Sequence, residues 1–302
     1  MLNTPQELTS FVLEQMKRTQ DPRSREIFTQ LVKHLHAFIS EAKLTEAEFH
    51  LACSLIAKLG QQSNASHNEV TLMAGSLGIS ALVCLQNNGQ GGTQPTTANL
   101  MGPFWREGSP STPSGGSLLR SKTAGERVWV NAYVKDFSAK PIADARVDVW
   151  HSSNEGLYEN QDAKQAQMNL RGSFKTDVNG HFQFETIKPS GYPIPTNGLV
   201  GELLKQLGRH NMRPAHLHFL IFKEGLKTQF SQVYSNDDPY LETDVQFGVT
   251  NALVGQYVRH ESEPFPTDQV KGDWWSLDFT FKVEPGHSYL PKPPITQKVL
   301  AS

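Results

Sequence analysis

The spacing of apolar side chains changes part-way along the chain, and no fold of a single class accommodates both spacings. Up to about residue 88 they recur at helical intervals; beyond about residue 120 they recur at every second position. Helix starts are marked in the first part. Thr4 with Pro5 and Glu7, Thr45 with Glu48, and Ser66 with Glu69 each fit the box in which a Ser or Thr and a Glu three residues later satisfy each other's backbone donors. The pattern predicts helices over 5–18, 23–41, 46–59 and 67–87, with Gly60 and Gly89 at C-caps. Asn87-Asn88-Gly89-Gln90-Gly91-Gly92 then breaks it, and a Thr/Pro-rich connector follows to about residue 120. Strands are predicted over 127–135, 145–151, 181–187, 215–223, 228–235 and 273–283, separated by turn chemistry such as Asp177-Val178-Asn179-Gly180. Many short strands after a run of helices indicate an α+β chain: an N-terminal helical and linker domain over 1–105, then an antiparallel β-sandwich over 106–302.

Charge and composition exclude several classes of function. A net charge of −2 recommends neither nucleic acid nor an anionic membrane as a partner. No apolar run reaches the roughly 20 residues that a membrane span needs. The opening MLNTPQELTSFVLEQMKRTQ lacks the basic leader, apolar segment and small-residue cleavage site of a signal peptide. Cys53 and Cys84 both fall in apolar helical patterns, where reduced packing thiols are the default, so a cytoplasmic location is expected.

The densest chemical signal is Arg213-Pro214-Ala215-His216-Leu217-His218-Phe219. Residues i and i+2 of a strand share a face, so His216 and His218 can reach one metal while Leu217 faces away. His34-Leu35-His36 has the same spelling but lies in a predicted helix, where i and i+2 diverge. An isolated His-x-His on a strand is more often a pair of surface or satisfied core histidines. The β domain has no Cys, and His151, His181 and His210 show no ligand spacing of their own. Tyr158, where a strand runs into a loop, and Tyr192, in the Pro/Gly-rich stretch 188–195 with no regular pairing, are the remaining oxygen donors of note. Each read alone is a packing residue with a hydrogen-bonded hydroxyl. Together with the histidines they point to a hard, strongly acidic cation, because a free phenol ionises only near pH ~10. Ferric iron qualifies, and two phenolates plus a hydroxide would neutralise it, leaving neutral imidazoles to complete the shell.

In the motifs Leu100-Met101-Gly102-Pro103-Phe104, Val147 to His151 with Gly156-Leu157-Tyr158, Arg171 to Asp177, Leu207 to His210 with Arg213 to His218, and Asp238-Pro239-Tyr240, the chain resembles the intradiol ring-cleavage dioxygenases. The resemblance is strong over about 100–250 and looser in the helical part. It implies one non-haem Fe(III) per chain held by Tyr158, Tyr192, His216 and His218, with Tyr192 the tyrosinate that leaves when substrate binds. It further implies Arg213 and Gln232 as catalytic residues beside the substrate, and Leu72, Gly102, Pro103, Phe104, Ile194, Pro195 and Arg213 as substrate-binding residues. The implied partners are an aromatic diol or triol and O2. A homodimer through the N-terminal helices, with a phospholipid bound there, is implied as well.

Two segments, Tyr192 to Gly201 and Val245 to Val249, are closer to hydroxyquinol (benzene-1,2,4-triol) dioxygenases than to catechol enzymes. The resemblance therefore implies ring opening of the triol to 3-hydroxy-cis,cis-muconate or its tautomer maleylacetate. Cleavage of catechol or a substituted catechol to a muconate is the alternative. One departure stands out: hydroxyquinol enzymes tend to carry an acidic residue on the fourth helix, and Met73 to Ser80 has none. A non-catalytic β-sandwich binding module is the rival from another class. A zinc hydrolase lacks a third His or a carboxylate at plausible spacing.

Overall fold

The computed structural model describes residues 2–64, 67–295 and 298. Its contacts divide the chain into two compact units, one ending at Lys58 and the other beginning at Leu59. The first unit contains α1 (Pro5–Met16), α2 (Pro22–Ala42) and most of α3 (Glu46–Gln61). Two of the three predicted capping boxes form. Glu7 N donates to Thr4 Oγ1 while Thr4 N donates to Glu7 Oε2, and Thr45 and Glu48 repeat the exchange. The third, at Ser66, lies outside the described residues. Gly60 is not a cap: α3 runs through it to Gln61. Apolar side chains along these helices remain in water, Phe38 at 56 % and Ile56 at 69 % exposure among them, and Cys53 is exposed rather than packed.

The helix predicted over 67–87 is two, α4 (Glu69–Ser76) and α5 (Ile79–Asn87), bent by 75°. Gly78 between them has φ +73°, in the left-handed region that ends a helix and that a side chain resists. Among the described residues no single helix is long and apolar enough to cross a membrane. A short turn, α6 (Gly89–Gly92), closes the helical part.

The β region holds β1 (Arg127–Asp136), β2 (Arg146–Trp150), β3 (Arg171–Lys175), β4 (His181–Ile187), β5 (Tyr192–Pro193), β6 (Met212–Arg213), β7 (His216–Phe222), β8 (Gln229–Ser235), β9 (Val254–Gly255), β10 (Tyr257–Pro264) and β11 (Lys271–Val283), with α7 (Leu199–Gln206) between β5 and β6. One sheet is ordered β10-β11-β1-β4 and the other β3-β2-β7-β8-β9. They are mixed and largely antiparallel rather than wholly antiparallel, because β1 pairs in parallel with β11 and β8 with β9. A parallel pair needs a crossover, and 134 residues separate the ends of β1 and β11 that a hairpin could not join. Val128, Val130 and Ala132 of β1, Phe182 and Phe184 of β4, Leu217 and Phe219 of β7, and Leu277 and Phe281 of β11 form the core between the two sheets. Each buried Val, Leu or Phe among them contributes about 1.5–3 kcal/mol.

Alternation in β7 is what creates the site. With Leu217, Phe219 and Ile221 committed to the core, His216, His218 and Leu220 are turned to the other face of the five-stranded sheet. Buried Trp105, Trp150, Tyr158 and Tyr192 pack over that face beside Leu220.

Candidate active site

His216 and His218 are both about 1 % exposed, and their Nε2 atoms lie 3.1 Å apart. Tyr158 Oη is 3.0 Å from His218 Nε2 and 3.3 Å from Tyr192 Oη, which is 3.5 Å from His216 Nε2. Four donor atoms from three chain segments therefore meet in one buried cluster. Local structure fixes each. The Nδ1–H of His216 donates to Pro214 O at 2.6 Å, which leaves a lone pair on Nε2. The ring of His218 stacks on Trp150, its cross-strand neighbour, with centroids 4.9 Å apart. Tyr158 stacks on Phe104 at 4.2 Å. Tyr192 is not in an unpaired loop: it sits opposite Arg213 in the two-residue ladder of β5 with β6.

The electrostatics suit a shared cation among these four groups. Burial pushes the Tyr158 hydroxyl well above the usual phenol range, and Tyr192 beside it adds to the shift. Burial, then the Arg213 charge, lowers His216 to about 3, and burial holds His218 well below the usual imidazole range. Burial thus disfavours the charged form of both imidazoles, and two neutral rings with Nε2 atoms 3.1 Å apart suit a shared metal ion. Nδ1 of His218 has no partner. Among the described residues no three His, Cys, Asp or Glu side chains are grouped to hold a metal, so the phenols are needed to complete a set. Two phenols and two imidazoles suit a hard, strongly acidic ion better than zinc.

Arg213 flanks the cluster, its Nη1 3.5 Å from His216 Nε2. Asp244 grips it at two points, Nε to Oδ1 at 3.1 Å and Nη2 to Oδ2 at 3.0 Å, and Nη2 also donates to Tyr234 Oη at 2.9 Å. Burial opposes its charge, but Asp244 with Tyr234 and Tyr192 holds the guanidinium pKa well above its usual value. Tyr234 Oη donates to Gln232 Oε1 at 2.8 Å, and Gln232 Nε2 donates to Leu100 O at 2.7 Å. Gln232 faces His218 across β7 and β8 but spends its amide on this network.

The predicted substrate residues divide. Gly102 lies over the His218 ring, where a Cβ would come within 3.0 Å of Cε1. Leu72 packs against Ile194, Val200, Leu204 and Val245 in one apolar cluster. Pro103 is exposed between the half-buried Gly102 and Phe104, and Pro195 is exposed next to buried Ile194. His151, no ligand, bonds Thr186 and Ser152 O, and His36 bonds Thr9.

The sequence reading missed Asp244, Tyr234 and Trp150. It also missed a buried group behind Tyr158 in which Glu159 joins Arg106 and Arg171, and Arg171 Nη1 donates to Phe104 O at 2.7 Å. The available signal was Arg171 and Glu159 close to a candidate ligand in stretches otherwise read as loop. Charged residues in a folded interior need a partner.

Two phenols and two imidazoles gathered in one buried cluster on a β-sandwich form a candidate metal centre of an enzyme, and comparison with known proteins gives the family. Residues 100–280 match the family model described as "Dioxygenase", and 21–93 match "Catechol dioxygenase N terminus". The chain is 35 % identical over 274 residues to hydroxyquinol 1,2-dioxygenase of Rhizobium sp. (strain MTP-10005), covering 89 % of this chain and 92 % of the relative. It is 36 % identical over 280 residues to 6-chlorohydroxyquinol 1,2-dioxygenase of Cupriavidus pinatubonensis, covering 92 % and 96 %. The solved structure of hydroxyquinol 1,2-dioxygenase from Pseudomonas putida DLL-E4 superposes with a TM-score of 0.83 at 32 % identity, covering 93 % of this chain and 99 % of that one. The chain belongs to the intradiol catechol dioxygenase family and is an oxidoreductase of that kind. The family implies a non-haem Fe(III) ion, a catechol-type substrate and O2.

Proposed function

We propose that this chain opens the ring of hydroxyquinol, inserting both atoms of O2 to give 3-hydroxy-cis,cis-muconate, with Fe(III) held by Tyr158, Tyr192, His216 and His218. The convergence of those four donors in one buried cluster carries the reading. When bound, ferric iron supplies the Lewis acidity and one-electron chemistry that let a diol ring react with O2. The protein does the rest. Tyr192 Oη accepts a diol proton as substrate enters, and Arg213 sits where negative charge gathers on the diol oxygens, kept cationic and oriented by Asp244. Gln232 holds Tyr234, and through it Arg213. Leu72, Phe104 and Ile194 offer apolar surface to the ring and exclude water, with Gly102, Pro103 and Pro195 along the same segments.

The triol is preferred to catechol because the two curated relatives described above and the P. putida structure are named for hydroxyquinols. Exposed apolar residues on α1 to α3 support a homodimer through the helical part, with a phospholipid chain covering the remainder. Two free cysteines support a cytoplasmic protein. The deciding experiment follows O2 uptake and product by iron-loaded protein with hydroxyquinol and with catechol separately. Uptake with the triol supports the proposal, and uptake with catechol alone replaces the substrate but keeps the reaction. A protein that stays colourless on ferric reconstitution and consumes no O2 with any diol overturns it.

A further inference from the structure

Helix α4 presents Leu72 to the apolar cluster that contains Ile194 and Val245, and Gly75, one turn later, lies on the same face. Gly75 has no side chain, yet its side-chain space is full. A Cβ built there would fall 1.7 Å from Gln246 Oε1 and 2.7 Å from Gln246 Cδ. The carboxamide of Gln246 therefore stands where a side chain from α4 would stand. It is only 7 % exposed, and its Nε2 donates to Ser76 Oγ at 2.9 Å. Its Oε1 accepts no hydrogen bond among the described residues, which leaves this carbonyl oxygen free to accept one from a ligand beside an apolar wall. Its backbone ties it to the reaction centre, since Gln246 N and Gly248 N both donate to Asp244, the partner of Arg213.

We infer that Gln246 is a specificity-determining residue: its Oε1 accepts the hydrogen bond of a ring hydroxyl beyond the two that define the diol. This deepens, and rests on, the hydroxyquinol reading above. Geometry selects the substituent. A neutral acceptor in an apolar wall favours a hydroxyl, which can donate, over hydrogen, methyl or halogen, which cannot. The nearby turn of α4 has no carboxylate between Met73 and Ser80, so the acceptor comes from the loop after Asp244 instead.

The test uses the full-length iron-loaded protein and two variants. Gln246→Leu keeps the space beside Gly75 filled but removes the acceptor, and Gln246→Glu keeps an acceptor. kcat/KM is measured for hydroxyquinol and for catechol, and anaerobic binding of each is titrated by the visible spectrum. The expected result is a fall of about tenfold in the hydroxyquinol-to-catechol ratio in Gln246→Leu, carried by binding, with the ratio held in Gln246→Glu. An unchanged ratio in Gln246→Leu, or equal losses for both substrates in both variants, overturns the inference while leaving the dioxygenase reading intact. Wild-type protein that binds iron but turns over neither diol sinks both.

Discussion

At the residue scale, the chemistry rests on atoms placed so that each needs what the next supplies. The four donors of the cluster all present lone pairs once the phenols ionise, and only a cation makes that arrangement favourable. Removing one donor should therefore weaken the ion more than the fold. His216→Ala and Tyr158→Phe are expected to lose most bound iron and the visible tyrosinate-to-iron absorption while unfolding at temperatures near that of the metal-free parent. Iron assay and absorption spectra after gel filtration check this, and a full iron complement in either variant would remove that residue from the set. Asp244 acts differently, through Arg213. Asp244→Asn keeps the shape but cancels the charge that faces the guanidinium. Charged hydrogen bonds are worth about 1.5–3 kcal/mol, so kcat/KM should fall about 10- to 100-fold. Iron content and the resting spectrum should be unchanged. Loss of iron in parallel with activity would reassign Asp244 to holding the metal site together.

At the level of elements, the site is assembled by one strand's alternation and two loops that close over it. Gly102 belongs to the first loop, with φ +70° and its Cα hydrogens turned toward the His218 ring. Gly102→Ala should strain the backbone by about 1–2 kcal/mol and press on the His218 imidazole. Iron should leave faster to a competing chelator, and an unchanged release rate would mean that the loop yields at no cost to the metal. His216, His218 and the face they share were legible in the sequence, because a two-residue period fixes which side chains point together. Strands β1, β4, β7 and β11 were legible for the same reason. Two sheet-edge strands were not: β3 has Gly172 and Ser173 at its centre, and β10 is largely exposed, so neither shows apolar alternation. The bend at Gly78 was hidden in a continuous apolar pattern, and the parallel pairing of β1 with β11 is a long-range register that no local spacing encodes. Asp244 and Tyr234 escaped because a buried ion pair reads locally as a polar loop residue and a strand aromatic. Their meaning appears only when Arg213 is brought between them.

For the molecule as a whole, the burial of three neutral imidazoles has a consequence for folding. His151, His216 and His218 are held neutral by burial, His151 at about 4 and His216 at about 3, against an ordinary value of 6.5. Their folded pKa values lie below their unfolded ones, so the unfolded chain takes up protons first as pH falls. Stability attributable to these groups is complete above pH 6.5 and declines below it, until the folded state itself protonates near pH 3–4. Each such imidazole contributes a slope of about 1.4 kcal/mol per pH unit within that window. Asp244, held low by Arg213 against the effect of burial, adds to the loss only below its ordinary 3.8. Metal-free protein should therefore lose stability steeply between pH 6.5 and 4.5, measured by urea unfolding at fixed ionic strength. Iron opposes unfolding only by binding the native state, and its imidazole ligands must stay deprotonated to bind it. The iron-loaded protein should be more stable than the metal-free form at pH 7, and its advantage should narrow as acid competes for the imidazoles. Metal-free protein with equal stability at pH 6.5 and 4.5 would show that these histidines are hydrated and protonate in place, and the buried cluster described above would have to open to water in the absence of iron.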